Sequence, residues 1–194
     1  MFLPGRTVLA TGSVDFPTAR EGMRSPLARK LFGVDGVASV FFGTDFVTVR
    51  KTDDKDWALL KPEVFAAIMD FYASGEPVLL EGEQLARDDT AVHEGDSELV
   101  AMIKELLETR IRPAVAEDGG DIVFKGFDET SGVVTVKLMG SCSGCPSSSI
   151  TLKSGIENML KHYVPEVTAV EEALDELEAV SSAQLAKMES QLSP

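Results

Sequence analysis

Apolar positions follow two different periods along this chain, and the change of period marks its elements. Gly36-Val-Ala-Ser-Val-Phe-Phe-Gly43 and Asp45-Phe-Val-Thr-Val-Arg50 are short, β-branched and aromatic, with Gly43-Thr-Asp45 between them, so they predict a hairpin. Ser25-Pro-Leu-Ala-Arg-Lys-Leu-Phe32 predicts a short helix with proline in its first turn and Gly33 as its stop. Lys61 to Ala73 predicts a second helix, with Val64, Phe65, Ile68, Met69 and Tyr72 on one apolar face. Met1 to Gly12 predicts a strand and turn, and Trp57 a core anchor.

The second half carries the same alternation of periods. A helix is expected from Asp96 or Ser97 to about Arg112, burying Leu99, Met102, Ile103, Leu106 and Ile111, with Pro113 kinking or restarting it. Asp121 to Phe127 and Val133 to Met139 predict two strands, made antiparallel by their short connection. A helix from Pro146 to about Tyr163 and a strand from Val164 to Val170 follow. A right-handed crossover places that last strand parallel to the second. The expected class is α/β (α+β) with two small domains, the C-terminal one α-β-β-α-β around a three-stranded mixed sheet. Residues 1–86 form the first domain, 87–97 a polar linker, 98–170 the second domain and 171–194 an acidic tail, helical or disordered.

A chain of 194 residues suffices for two modest cores. Its net charge of −14 leaves no basic stripe to neutralise phosphates, which argues against nucleic acid and against anionic membranes. No apolar run reaches the roughly 20 residues of a membrane span. Met1 to Arg20 has neither a signal-peptide nor a transit-peptide pattern, so a bacterial cytoplasm is expected, or a mitochondrial matrix if the source is eukaryotic.

The chemistry sits in the only two cysteines, Cys142 and Cys145, within Gly140-Ser-Cys-Ser-Gly-Cys-Pro-Ser-Ser-Ser149. Thiols three positions apart clamp a soft metal from two sides and cannot alone complete a four-thiolate site. Pro146 fits a first helical position, so Cys145 falls near a helix N-cap, where the dipole lowers a thiol pKa. Gly140 and Gly144 let the backbone fold around a bulky anion, and Ser141, Ser143 and Ser147 add hydroxyl donors. Three chemistries remain open on this basis: a dithiol–disulfide oxidoreductase, a zinc-bridged adaptor, or an iron–sulfur cluster held across a homodimer. Against the first, no aromatic residue precedes Cys142 and no proline lies between the cysteines. His93 and His162 read as solvated surface residues, and Asp118 and Asp121 flank a left-handed Gly119-Gly120 turn capped by Asp121. The first half offers no catalytic constellation.

Arg112-Pro-Ala-Val-Ala-Glu-Asp-Gly-Gly-Asp121, Leu138 to Glu157 across the cysteines, and Val164-Pro-Glu-Val167 resemble the C-terminal domain of NifU-like (Nfu-type) proteins. Phe2-Leu-Pro-Gly-Arg6, Leu31 to Val37, Val40 to Val49, and Trp57 with Leu60-Lys-Pro62 are similar to the N-terminal domain of Nfu proteins. The resemblance implies a non-enzymatic iron–sulfur cluster carrier or scaffold. In it, Cys142 and Cys145 of two chains bind one [4Fe–4S] cluster as metal and cluster ligands. The implied partners are a second copy, upstream cluster-assembly proteins and apo iron–sulfur receivers. Family members usually carry a further stretch before Phe-Leu-Pro-Gly-Arg; here Met1 precedes it directly, so a truncated or shortened first strand is expected.

Overall fold

The structure is a computed structural model that describes residues 1–80, 89–142 and 146–173. Two three-stranded sheets organise it, one in each half. In the first half, β1 (Val14–Phe16), β2 (Val37–Phe42) and β3 (Val47–Lys51) pair antiparallel in chain order, with α1 (Ala19–Gly22) and α2 (Pro26–Phe32) between β1 and β2. Ser25 caps α2 through its hydroxyl, Pro26 opens the helix and Gly33 closes it, as its sequence demands. The hairpin is in place, with Phe41 opposite Thr48.

Helix α3 (Trp57–Ser74) starts earlier than its apolar period suggests, because Asp56 caps it by accepting the Ala58 N–H. Leu60, Val64, Ile68 and Phe71 enter the core. Phe65 and Met69, expected beside them, are 49% and 70% exposed. Phe65 instead meets the ring of Phe2 edge-on at 5.0 Å, so α3 carries a second apolar stripe toward the N-terminal segment. Trp57 packs on the rim of the core rather than at its centre. The strand expected within Met1–Gly12 is reduced to one bridge, Phe2 to Val47.

In the second half, α4 (Glu98–Leu106), one π-helical turn (Leu107–Ile111) and α5 (Arg112–Glu117) run on as one helix. The buried apolar residues are Ile103, Leu107, Ile111 and Val115, whereas Met102 is exposed and Leu99 and Leu106 lie at the margin. Steps of four drift about 40° round an α-helix, and the wider π turn takes back part of that drift, so the stripe stays on the sheet. The π turn ends where Pro113 denies the next turn its N–H. β4 (Gly120–Asp128) and β5 (Val133–Gly140) are antiparallel, α6 (Pro146–Tyr163) crosses over, and β6 (Ala169–Glu172) returns parallel to β5. A bulge between Phe124 and Gly126 brings Phe127 back to the face of Ile122 and Phe124. The mixed α-β-β-α-β arrangement is thus as the sequence indicates.

The described part of the polar stretch before α4 is strapped to the second half. Lys104, buried despite its charge, donates to Asp96 Oδ2 (2.6 Å) and to the Ala91 carbonyl (2.8 Å). The His93 N–H and the Lys104 ammonium hold the Asp96 carboxyl below its usual pKa. Asp89 accepts from Arg112 and from the Phe124 N–H. Among the described residues no helix is long and apolar enough to cross a membrane.

Candidate metal centre

Cys142 lies just past the end of β5, and everything around it bears on that position. The strand pair ends with Gly120 opposite Gly140. Gly119 and Gly140 have φ near +80° and +68°, a region that side chains with a Cβ rarely adopt. These two residues reverse the chain so that Cys142 turns back over β4. A Cβ at Gly120 would overlap the Cys142 sulfur, so the second glycine of the pair is the seat of the thiol. The sequence pointed to a turn here, and the structure adds the seat. No signal in spacing alone distinguishes the two.

Hydrogen bonds fix the same turn. Ser141 donates its N–H to the Gly119 carbonyl at 3.3 Å and its hydroxyl to the Asp118 carbonyl at 2.6 Å. Ser141 Oγ also lies 3.9 Å from Cys142 Sγ. The thiol is 6% exposed and packs with Ile122, Leu138 and other residues of the second core. Burial pushes its pKa up, and the charges of Asp118, Asp121 and Glu172 add to that, opposed by the Ser141 hydroxyl. An empty site thus favours the neutral thiol, and a metal that displaces the proton supplies the missing positive charge.

Asp121, expected to cap the glycine turn, turns one carboxylate oxygen toward Ile122 and Arg112. It is buried, accepting the Ile122 N–H (2.6 Å) and the Arg112 Nε (3.2 Å). Arg112 forks from there to Asp89 (2.8 Å), the Ile122 carbonyl (3.0 Å), Thr90 (3.1 Å) and Glu108. This hub fastens the start of β4, and hence the seat of Cys142, to the long helix. It was not singled out in the sequence as a functional residue, although Arg112 and Asp121 bound one of its motifs.

Cys145, with Ser143 and Gly144, lies outside the described residues, as do residues 174–194 of the acidic tail. His93 and His162 are exposed, His162 stacked edge-on against Tyr163. Among the described residues no three His, Cys, Asp or Glu side chains gather as a metal site.

Gly120→Ala is expected to displace the thiol and to crowd the Met139 carbonyl at the end of the strand pair. Anaerobic loading with iron and sulfide should fall at least about tenfold, the scale on which lost support for a ligand is felt. Unchanged iron content would show that Gly120 is no seat.

Comparison with known proteins adds independent information. A family model described as a NifU-like domain matches residues 103–171, and one described as scaffold protein Nfu/NifU N terminal matches residues 1–75. The chain is 62% identical over 175 residues to NifU-like protein 4, mitochondrial, of Arabidopsis thaliana, covering 90% of this chain and 62% of that protein. It is 60% identical over 183 residues to NifU-like protein 5, mitochondrial, of the same plant, covering 94% and 66%. Identity to the human protein called NFU1 iron-sulfur cluster scaffold homolog, mitochondrial, is 56% over 176 residues, covering 90% and 67%. The chain therefore spans a little under two thirds of the length of the two plant relatives.

Proposed function

This chain belongs to the NifU-like family of Nfu proteins, and from that premise we propose that it carries an iron–sulfur cluster as cargo. Cys142 and Cys145 of two chains hold one [4Fe–4S] cluster and pass it to apo-proteins. The observation that carries the proposal is the glycine seat beneath Cys142, a position built for a sulfur and too narrow for a Cβ. The printed name of the human relative, an iron–sulfur cluster scaffold, supports the class of cargo.

The role of the protein's own groups follows from their chemistry. Two thiolates per chain and four per cluster require two chains. The turn carries only Gly, Ser and Cys around the sulfur, small residues that leave room for a bulky anion. Separating the two chains removes two ligands at once, and incoming receiver thiolates replace the rest by exchange. This is transport without catalysis, so the chain is not an enzyme. Residues 1–86 act as a partner-recognising domain, 98–170 as the cluster domain, with 87–97 between them. The named relatives are mitochondrial, which favours the matrix for a eukaryotic source and lends nothing to a bacterial cytoplasm.

Transfer tests the proposal. Protein loaded anaerobically is mixed with an excess of an apo-protein that has a four-thiolate cluster site, and the receiver's iron is followed after separation. The cluster should move to the receiver in full, with the carrier returning to its metal-free form. A cluster that stays on the carrier would mark a resident cofactor instead. Insulin reduction by the metal-free protein would point to the oxidoreductase.

A further inference from the structure

One buried surface belongs to neither core. β2 and β3 turn Val40, Phe42, Val47 and Val49 into the first core, while Phe41 and Thr48, side by side across the hairpin, face the opposite way. Both are nonetheless buried, as is Phe46 beside Phe41. What covers them is the cysteine-bearing end of the second half. Thr48 Oγ1 donates to the Gly119 carbonyl at 2.6 Å, the same oxygen that receives the Ser141 N–H. A Cβ on Gly140 would come within 2.9 Å of the Phe41 ring, and one on Gly119 within 3.1 Å of the Met1 sulfur. Thr48 thus stands one shared acceptor and one residue away from Cys142. The contact is narrow, since beside it a cleft of about 490 Å³ opens between Thr44 and Phe46 on one side and Thr90 and Arg112 on the other.

We propose that Thr48 and Phe41 are positioning residues that hold the Cys142 turn shut, and that a second copy must displace them before a shared cluster site can close. The first half is then a competitor for the surface on which two cysteine turns meet. By engaging Gly119 and Gly140 it keeps the turn, and with it the thiol, against the second core in the empty protein, and it yields the turn on dimerisation. The Thr48 hydrogen bond and the Phe41 ring are the parts of this contact nearest the cysteine turn. The inference rests on Cys142 being a cluster ligand, but the closure itself exists without a cluster.

The test uses the full-length, metal-free protein and N-ethylmaleimide, with alkylation at Cys142 timed by peptide mass spectrometry. Thr48→Val keeps the shape and the strand but removes the donor. Cys142 should then react about fivefold faster, as expected when one net hydrogen bond is taken from the closed state. Thr48→Ser should restore the original rate. Phe41→Leu should accelerate the reaction by another route. Val64→Ala, which loosens the first core without touching the contact, should leave the rate unchanged. Equal rates in Thr48→Val and the parent would overturn the proposal, as would equal acceleration by Val64→Ala. Iron loading of the parent is measured alongside. Acceleration in a protein that never takes up a cluster would keep the closure and refute the carrier.

Discussion

Cys142→Ser leaves both halves folded and abolishes cluster capture. A serine hydroxyl does not ionise in the range where thiolates bind iron, so each cluster would lose two of its four protein ligands at once. Loss of loading should exceed about a hundredfold, beyond what disturbing a ligand's support costs. Stability should drop by only about 1–2 kcal/mol, the price of a hydroxyl where a buried thiol packed against Ile122 and Leu138. Cys145→Ser should abolish capture equally. Iron and acid-labile sulfide, counted after anaerobic loading, together with a thermal melt, give the two readings. Full cluster occupancy in either variant would remove that residue from the ligand set.

Arg112→Met should be the most damaging substitution for stability. The guanidinium is only 15% exposed and meets Asp121, Asp89, Glu108 and Thr90 together with the Ile122 carbonyl. Methionine fills much of the volume but leaves the carboxylates of Asp121 and Asp89, 8% and 13% exposed, without this cation. Breaking a buried pair from one side costs about 3–5 kcal/mol. In a unit of this size about 3 kcal/mol lowers the melting temperature by roughly 12–24 °C. Arg112→Lys should recover only part of the loss, because an ammonium cannot reach four sides of a planar fork. A urea titration measures both. A change under about 1 kcal/mol for Arg112→Met would mean that the hub is ornamental.

Arg112 also illustrates what could be read from the chain and what could not. Its motif was visible, yet the partners that make it a hub lie as far as 23 positions away and meet only when β4 folds back on the helix. β2 to β5, α2 and α6 are legible because local signals agree: the Ser25-Pro26 start, the Gly33 stop, the run of β-branched residues in β2 and β3, and Pro146 at the head of α6. β1 has no such signal, and the last strand, expected over Val164–Val170, forms only at Ala169–Glu172. Where the period was read as an unbroken α-helix, it misled. The π turn at Leu107–Ile111 replaced Met102 and Leu106 with Leu107 in the core. Phe65 and Met69 read as part of one buried face of α3 because nothing in the helix itself announces that the N-terminal segment, through Phe2, meets Phe65.

The site shows the same division. Two cysteines with one glycine before them and one between them point to soft-ligand chemistry, and Cys142 falls just after a strand, as expected. The seat at Gly120, by contrast, depends on strand register: Gly120 opposite Gly140 puts a Cα under the sulfur. Register across a nonlocal pair is set by packing, and a one-residue slip would have put a side chain there. The clamp of Thr48 on Gly119 is less local still, spanning 71 positions.

Native mass spectrometry on protein purified without oxygen tests the central claim most directly. A dimer heavier than two chains by four irons and four sulfides is the expected species, lost to a bare monomer when Cys142 is replaced. A dimer carrying one zinc, or a monomer lighter by two hydrogens, would contradict it.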